Sequence, residues 1–149
     1  MSAHPYAEVR IEIARLAQAL GFDKIGVAAP ELPEDEARLS AWLAAGRHGA
    51  MRYMQEHGTR RSRPAELVPG TLRVIAARMQ AWPPDARDAR QVLGDSQRAY
   101  IARYALGRDY HKILRPRLQK LADRIEERIG PFGYRVFVDS GPVLERALA

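Results

Sequence analysis

The chain has 149 residues, 46% hydrophobic and 28% charged, a composition typical of one globular domain. It contains no cysteine, which excludes disulfides and thiolate ligands for zinc or iron–sulfur clusters within this sequence. No apolar run approaches the roughly 20 residues of a membrane-spanning helix, and the N-terminus lacks the features of a signal peptide. A cytoplasmic protein without membrane contact is therefore expected.

The net charge is +6, and arginine supplies most of the positive charge. Such a charge suits a polyanionic partner, because Arg and Lys side chains neutralise the phosphates of nucleic acids. The arginine-rich composition of a GC-rich genome explains the same numbers equally well. Charge alone therefore identifies no partner.

The first half of the chain shows clear periodicity. Apolar residues at helical spacing predict a helix over residues 5–20, a short strand follows at 24–28, and Pro33 begins a second helix that Gly46 ends. Residues 47–70 lose this periodicity and are predicted to be a loop. The loop is either a binding surface or a solvated connector.

The second half alternates between strands and helices. Residues 72–77 are predicted to form a strand, 82–84 a surface excursion, and Asp95 or Ser96 to Ala105 a helix. The next helix is predicted over 109–129, with a kink or restart at Pro116. A last strand at 134–138 leads through Ser140-Gly141-Pro142 into a new helix. The fold class is α/β, a mixed sheet flanked by helices in a single domain, with α+β as the alternative.

Asp139 is the first candidate for chemistry, because it ends the last predicted strand. Ligands of open α/β sheets collect outside the carboxyl ends of strands, which makes Asp139 a candidate reacting group. It is also ordinary capping material for the helix that follows. Both interpretations stay open from local sequence.

A second candidate is the polar run at residues 103–112. Asp109 suits a helix N-terminus, and Tyr110 and His111 offer groups for proton transfer. The alternative is an N-cap with a solvated first turn. A metal site is not predicted, because His4, His48, His57 and His111 lack ligand spacing, and no phosphate-binding glycine motif occurs.

Four sequence blocks, in this order, resemble the N-terminal part of the epoxyqueuosine reductases. They cover residues 42–54, 63–71, 103–112 and 138–146, and include Asp109-Tyr110-His111-Lys112 and Val138-Asp139-Ser140 followed by Pro142. The resemblance extends from roughly Leu16 to Ala149. It implies a cobalamin-dependent, tRNA-modifying oxidoreductase that reduces epoxyqueuosine to queuosine at the wobble position of the anticodon loop.

The resemblance also implies roles for single residues. Asp139 matches the aspartate that protonates the epoxide oxygen, and Asp109 and His111 match residues that orient the substrate or replenish the proton. Proton donation requires Asp139 to be protonated near neutral pH, which burial against the corrin ring would favour. The residues expected to contact cobalamin are Arg63, the backbone of Ala102, Asp139 and Arg146.

The expected partners follow from the same resemblance: tRNA carrying epoxyqueuosine, an external electron donor, and two [4Fe–4S] clusters held by a downstream part that this sequence lacks. The full-length enzyme is expected to be a monomer. Gly141 and Pro116 depart from the family's usual pattern. Two alternatives for this chain are a non-catalytic RNA- or corrinoid-binding module and an inactive fragment.

Overall fold

The computed structural model describes residues 5–81, 85–139 and 141–149. The surface excursion predicted at 82–84 and Ser140 of the predicted turn lie outside the described residues, as does His4.

Two long helices and a small sheet build the core. The helices are α1 (Pro5–Ala19) and α6 (Tyr110–Ile129), and the strands β1 (Lys24–Ala28) and β2 (Val74–Arg78) pair antiparallel. Apolar residues four positions apart share one helix face, so α1 and α6 each present a stripe to the other. The buried core cluster consists of Ile13, Ala17, Phe22, Leu121 and Ile125, with Ile25 and Ile75 of the sheet packed against it.

Most of the regular elements agree with the sequence predictions. The predictions of α1, β1, β2 and α6 are confirmed, the bounds of β2 lying one or two residues later than expected. The helix α2 (Pro33–Ala44) begins at Pro33 and has three acidic residues in its first turn, where they favour the positive end of the helix dipole. No helix of the described residues is both long and apolar enough to cross a membrane.

The predicted loop at 47–70 contains short helical turns. These are α3 (Tyr53–Glu56), a 3-10 turn at Gly58–Arg61 and α4 (Pro64–Leu67). Segments of one turn are too short to show helical periodicity in the sequence. The prediction of an irregular loop was therefore only partly right.

The helix predicted from Asp95 or Ser96 to Ala105 is wrong. The helix here is α5 (Ala89–Leu93), capped by Asp88, whose carboxylate accepts from the backbone N–H of Arg90 at 2.9 Å. Asp95 instead accepts from the backbone N–H of Gln97 and closes a local turn at 3.0 Å. Only a 3-10 turn at Arg103–Ala105 follows.

The strand predicted at 134–138 is also wrong. A strand exists only through pairing, and among the described residues this segment joins no ladder. Its side chains form local contacts instead: Tyr134 packs at 5.3 Å from Phe132, and the Arg135 guanidinium lies 4.9 Å from the Phe137 ring. The described sheet has two antiparallel strands, smaller than the predicted mixed sheet, whereas the combination of helices and sheet in one small domain is confirmed.

Helix α6 continues through Pro116 without a restart. The side chain of Pro116 is exposed, so its ring faces solvent and not the core. The new helix predicted after the 140–142 turn is α7 (Glu145–Leu148), which buries Leu148.

Candidate active site

Asp109 is the N-cap of α6. Its Oδ1 accepts from the backbone N–H of His111 and lies within hydrogen-bond distance of His111 Nδ1, both at 3.0 Å. These hydrogen bonds lower the pKa of Asp109 below its ordinary value of 3.8. The capping interpretation is therefore what the structure shows for Asp109, and the cap at the same time fixes the imidazole of His111.

Tyr110 brings the end of the chain to this helix terminus. Its hydroxyl donates to Asp139 Oδ2 at 2.5 Å, although the two residues are 29 positions apart. The bond holds the phenolic proton and raises the pKa of Tyr110 to about 12. His111 Nε2 lies 3.7 Å from the same carboxylate oxygen, so Asp109, Tyr110, His111 and Asp139 come together.

Aromatic rings surround this contact. The Tyr110 and His111 rings stack with centroids 4.0 Å apart, and the Tyr104 ring meets Tyr110 edge-on at 6.0 Å. We call Tyr104, Asp109, Tyr110, His111 and Asp139 the Asp139 cluster. The cluster joins the two polar segments that the sequence singled out separately.

Asp139 does not cap the last helix. The N-cap of α7 is Leu144, and Glu145 reaches back so that its Oε1 accepts from the backbone N–H of Asp139 at 3.1 Å. Asp139 has a left-handed backbone conformation, with φ 58°, and its side chain is 64% exposed. The chain itself therefore presents this carboxyl group to open space and does not bury it.

Ala102 and Arg146 are near residues of the cluster in the sequence. Ala102 precedes the 3-10 turn that carries Tyr104, and its carbonyl accepts from the backbone N–H of Ala105 at 2.9 Å. Arg146 is exposed and follows Glu145, the partner of the Asp139 backbone. Both residues are exposed, and each is close in sequence to a residue that contacts the Asp139 cluster or belongs to it.

Arg63 has a different environment. Its Nη2 and Nε donate to the two oxygens of Glu36 at 2.6 and 2.8 Å, and the buried hydroxyl of Ser62 donates to the same carboxylate at 2.6 Å. Together these hydrogen bonds lower the pKa of Glu36 to about 2. Sequence analysis missed Glu36, because it lies 27 positions before Arg63 and belongs to no motif.

Further polar residues extend this arrangement. Thr59 donates to Glu66 at 2.9 Å, and Arg63 Nη1 lies 3.5 Å from Glu66. We call Glu36, Thr59, Ser62, Arg63 and Glu66 the Glu36 network. A backbone hydrogen bond of 2.8 Å from Leu144 to the carbonyl of Arg61 ties this network to the segment after Asp139.

In the described parts of the chain, no three His, Cys, Asp or Glu side chains are grouped so as to hold a metal ion. The Asp139 cluster offers proton-transfer groups and aromatic surface.

The comparison with known families decides the assignment. The family described as "Epoxyqueuosine reductase QueG, DUF1730" matches residues 61–140, which contain Arg63, Ala102 and the whole Asp139 cluster. The chain belongs to the epoxyqueuosine reductase family. The resemblance found in the sequence is thereby confirmed.

Curated relatives agree with this assignment. The chain is 60% identical to an epoxyqueuosine reductase of Xanthomonas campestris pv. campestris over 92% of its length, and 59% identical to one of Pseudomonas aeruginosa over 91%. A Vibrio cholerae epoxyqueuosine reductase is 54% identical over 97% of the chain. The chain spans 39% of the length of each of these relatives. No solved structure matches it.

Gly141 lies against the ring of Phe137. A Cβ atom at Gly141 would clash with the ring of Phe137. Phe137 is half-buried, so its ring cannot move aside freely. Glycine at position 141 therefore accompanies the packing of Phe137 just before Asp139.

Proposed function

We propose that this chain is part of an enzyme that reduces epoxyqueuosine to queuosine at the wobble position of tRNA, with cobalamin as cofactor. The single observation that carries the proposal is the Asp139 cluster, an exposed carboxyl group held by Tyr110 and His111 within the segment that matches the family. The curated relatives, which bear the name epoxyqueuosine reductase, support the same reaction class.

The reaction removes one oxygen atom from an epoxide. Two electrons and two protons are consumed, both C–O bonds break, a C=C bond forms, and the oxygen leaves as water. An alkoxide is a poor leaving group, so an acid that protonates the oxygen in the transition state contributes about 10²- to 10⁴-fold to the rate. Asp139 is the side chain that we assign to this step.

The two oxygens of Asp139 then have separate tasks. Tyr110 and His111 both approach Oδ2, so we assign Oδ1 to the substrate. Because the pKa of Tyr110 is about 12, its phenol keeps its proton at neutral pH and remains a hydrogen-bond donor. Tyr110 is therefore a positioning residue that fixes the carboxyl group while Asp139 transfers the proton.

His111 and Asp109 form the route by which the proton is replaced. The Asp109 carboxylate holds His111 Nδ1 at 3.0 Å, which turns Nε2 towards Asp139. The 3.7 Å between Nε2 and Oδ2 exceeds a direct hydrogen bond and suits a bridging water molecule. A protonated His111 would restore the proton of Asp139 after each turnover.

The residues of this chain suit a corrin ring on one side of the cluster. A large ring with peripheral amides needs open surface and nearby hydrogen-bonding groups, and Asp139, Ala102 and Arg146 are all exposed. We propose that these three residues contact cobalamin, which when bound supplies the electrons for C–O cleavage. Arg63 contributes from the adjoining segment, although Glu36 holds most of its guanidinium in this conformation.

The remaining electron-transfer parts come from outside this sequence. This sequence contains no cysteine, so the ligands of the two [4Fe–4S] clusters would belong to the additional length of the full-length protein. An external donor would reduce these clusters. We propose a monomeric, cytoplasmic enzyme.

The proposal is tested by Asp139→Asn in the full-length protein. Asn tolerates the left-handed backbone, so the fold is kept while the acid is lost. We expect epoxide reduction to fall by about 10²-fold or more. Cobalamin, which keeps its proposed contacts with Ala102, Arg146 and Arg63, should still bind, as followed by its absorbance spectrum. Asp123→Asn on α6, outside the cluster, serves as the control. Turnover retained in Asp139→Asn would refute the assignment of the acid.

A further inference from the structure

One segment of this chain carries as much net positive charge as the whole chain. Residues 98–120 contain seven Arg and Lys residues and a single acid, Asp109, which gives a net charge of +6. The rest of the chain has 17 basic and 17 acidic residues and is neutral. The whole net charge therefore lies in the segment that also supplies most of the Asp139 cluster.

The basic side chains of this segment are largely available to a partner. Arg108, Lys112, Arg115 and Lys120 are exposed, and within the described residues none of the four forms a salt bridge. Two others are engaged: Arg98 pairs with Asp95 at 2.8 Å, and Arg117 donates to the carbonyl of Leu20 at 3.2 Å.

The other basic stretch of the chain differs. At residues 47–63, Arg61 is buried with its guanidinium 5.7 Å from the Tyr53 ring, and Arg63 is paired with Glu36. These arginines stabilise the local fold. Arg47, Arg52 and Arg60 of that stretch are exposed and form no salt bridge among the described residues, so what distinguishes residues 98–120 is that they also supply most of the Asp139 cluster.

Exposed aromatic rings lie among these basic residues. The residues Tyr100 and Tyr104 are 43% and 63% exposed, values at which an aromatic ring still offers one face to a ligand. Tyr104 touches Tyr110, which binds Asp139. The exposed ring of Tyr104 is therefore in contact with the proposed reaction centre.

We infer that residues 98–120 form the surface that binds the unpaired nucleotides of the RNA substrate. In this arrangement Tyr100 and Tyr104 stack on bases, and Arg108, Lys112 and Arg115 contact phosphates. Stacking platforms beside basic side chains are the usual means of binding single-stranded nucleic acid. The inference rests on the proposed function, and it places the loop nucleotides next to Asp139.

Single-stranded RNA fits this surface better than a membrane does. An amphipathic helix binds lipid through a free apolar face, but the apolar face of α6 is used in the core, where Leu121 and Ile125 are buried. The exposed rings of Tyr100 and Tyr104 are instead in the segment before α6, with Arg103 between them in the sequence. Aromatic and basic residues alternate along this segment, as bases and phosphates alternate along an RNA strand.

The test is a fluorescence anisotropy titration of a labelled anticodon stem-loop RNA with an unmodified wobble base, at several salt concentrations. Tyr104→Ala should weaken binding by about 5- to 150-fold, the loss of one stacked base, with an unchanged salt dependence. Arg108→Ala combined with Arg115→Ala should reduce the slope of log K against log salt by about 1.4, the value for two lost phosphate contacts on a single strand.

The matched control is Arg90→Ala combined with Arg124→Ala, which removes the same charge from exposed positions outside the segment. It should leave the slope unchanged, and circular dichroism should show that every variant is folded. An equal reduction of the salt slope in the control and in the Arg108 and Arg115 variant would overturn the inference. If the Arg108 and Arg115 variant lost binding to vesicles of phosphatidylglycerol but kept its affinity for RNA, the inference would be overturned in favour of a membrane.

The outcome separates this inference from the proposed function. If the wild-type full-length protein reduces epoxyqueuosine but the segment variants bind RNA normally, the surface is wrong and the reaction stands. If RNA binding depends on the segment but the protein does not reduce epoxyqueuosine, the proposed reaction is wrong and the binding surface stands.

Discussion

The Glu36 network and the Asp139 cluster both contain carboxylates and their hydrogen-bond donors. They differ in whether the carboxylate is fully paired or left exposed to a ligand. In the network, Arg63, Ser62 and Glu36 satisfy one another, and Ser62 is fully buried. In the cluster, Asp139 shares one oxygen with Tyr110 and remains 64% exposed. Charges that satisfy each other hold two segments together, whereas a charge left accessible can act on a ligand. Removing groups from the network should therefore change stability, and removing groups from the cluster should change chemistry.

The largest change in stability is expected for Glu36→Gln. Because the pKa of Glu36 is about 2 in the folded chain against 4.5 ordinarily, its pairing stabilises the fold fully above pH 4.5 and is lost as the pH falls towards 2. Urea unfolding at several pH values should show this loss in the wild type. The variant should be less stable at pH 7 and lack this part of the pH dependence.

A suitable control for this experiment is Glu34→Gln on the same helix. Glu34 is 82% exposed and, among the described residues, forms an ion pair with the exposed Arg38 at 3.3 Å, a pair of little energetic consequence. A wild-type pH profile for Glu36→Gln would show that the Glu36 network does not hold α2 to the 59–66 segment.

A smaller loss of stability is expected for Asp109→Ala. Asp109 contributes both to stability, because it caps α6, and to the candidate site, because it orients His111. Loss of the cap should lower the thermal midpoint by a few degrees, by analogy with other N-caps. Asp109→Asn retains an oxygen for the cap and should restore most of the midpoint. The comparison fails if both variants melt together well below the wild type.

The smallest effect on stability is expected for Tyr110→Phe, whose ring contacts with His111 and Tyr104 are kept. The raised pKa of Tyr110 means that its hydrogen bond to Asp139 stabilises the fold fully below about pH 10, neutral pH included, and is lost as the pH rises towards 12. At neutral pH the variant loses this one exposed hydrogen bond and keeps the ring contacts, so the decrease in stability should be small. Tyrosinate absorbance should reveal one group titrating near pH 12 in the wild type. In Asp139→Asn that group should titrate closer to pH 10; an unmoved titration would show that Asp139 is not its partner.

Sequence periodicity predicted the elements whose stability comes from their own amphipathic pattern. The helices α1, α2 and α6 repeat apolar residues at helical spacing, and Asp109 and Gly130 bound α6 with ordinary terminal residues. The errors fall where tertiary contacts decide. Residues 134–138 have the composition of a strand, but no neighbouring strand pairs with them, and Asp88 caps a helix that the sequence analysis had placed later.

The candidate site divides in the same way. Asp109, Tyr110 and His111 are consecutive, so their proximity follows from the sequence. The contact of Tyr110 with Asp139 joins positions 29 residues apart, and that of Glu36 with Arg63 joins positions 27 apart. Only the resemblance to a family linked Asp109, His111 and Asp139 beforehand, and nothing in the sequence indicated Glu36.

The left-handed backbone at Asp139 restricts which acid can occupy this position. Among residues with a side chain, aspartate and asparagine adopt this conformation most readily, whereas glutamate has no short polar group that stabilises it. A longer carboxylate would therefore strain the chain before its acidity mattered. Any redesign of the reaction centre has to accept the identity of this residue as a constraint of the backbone as well as of the chemistry.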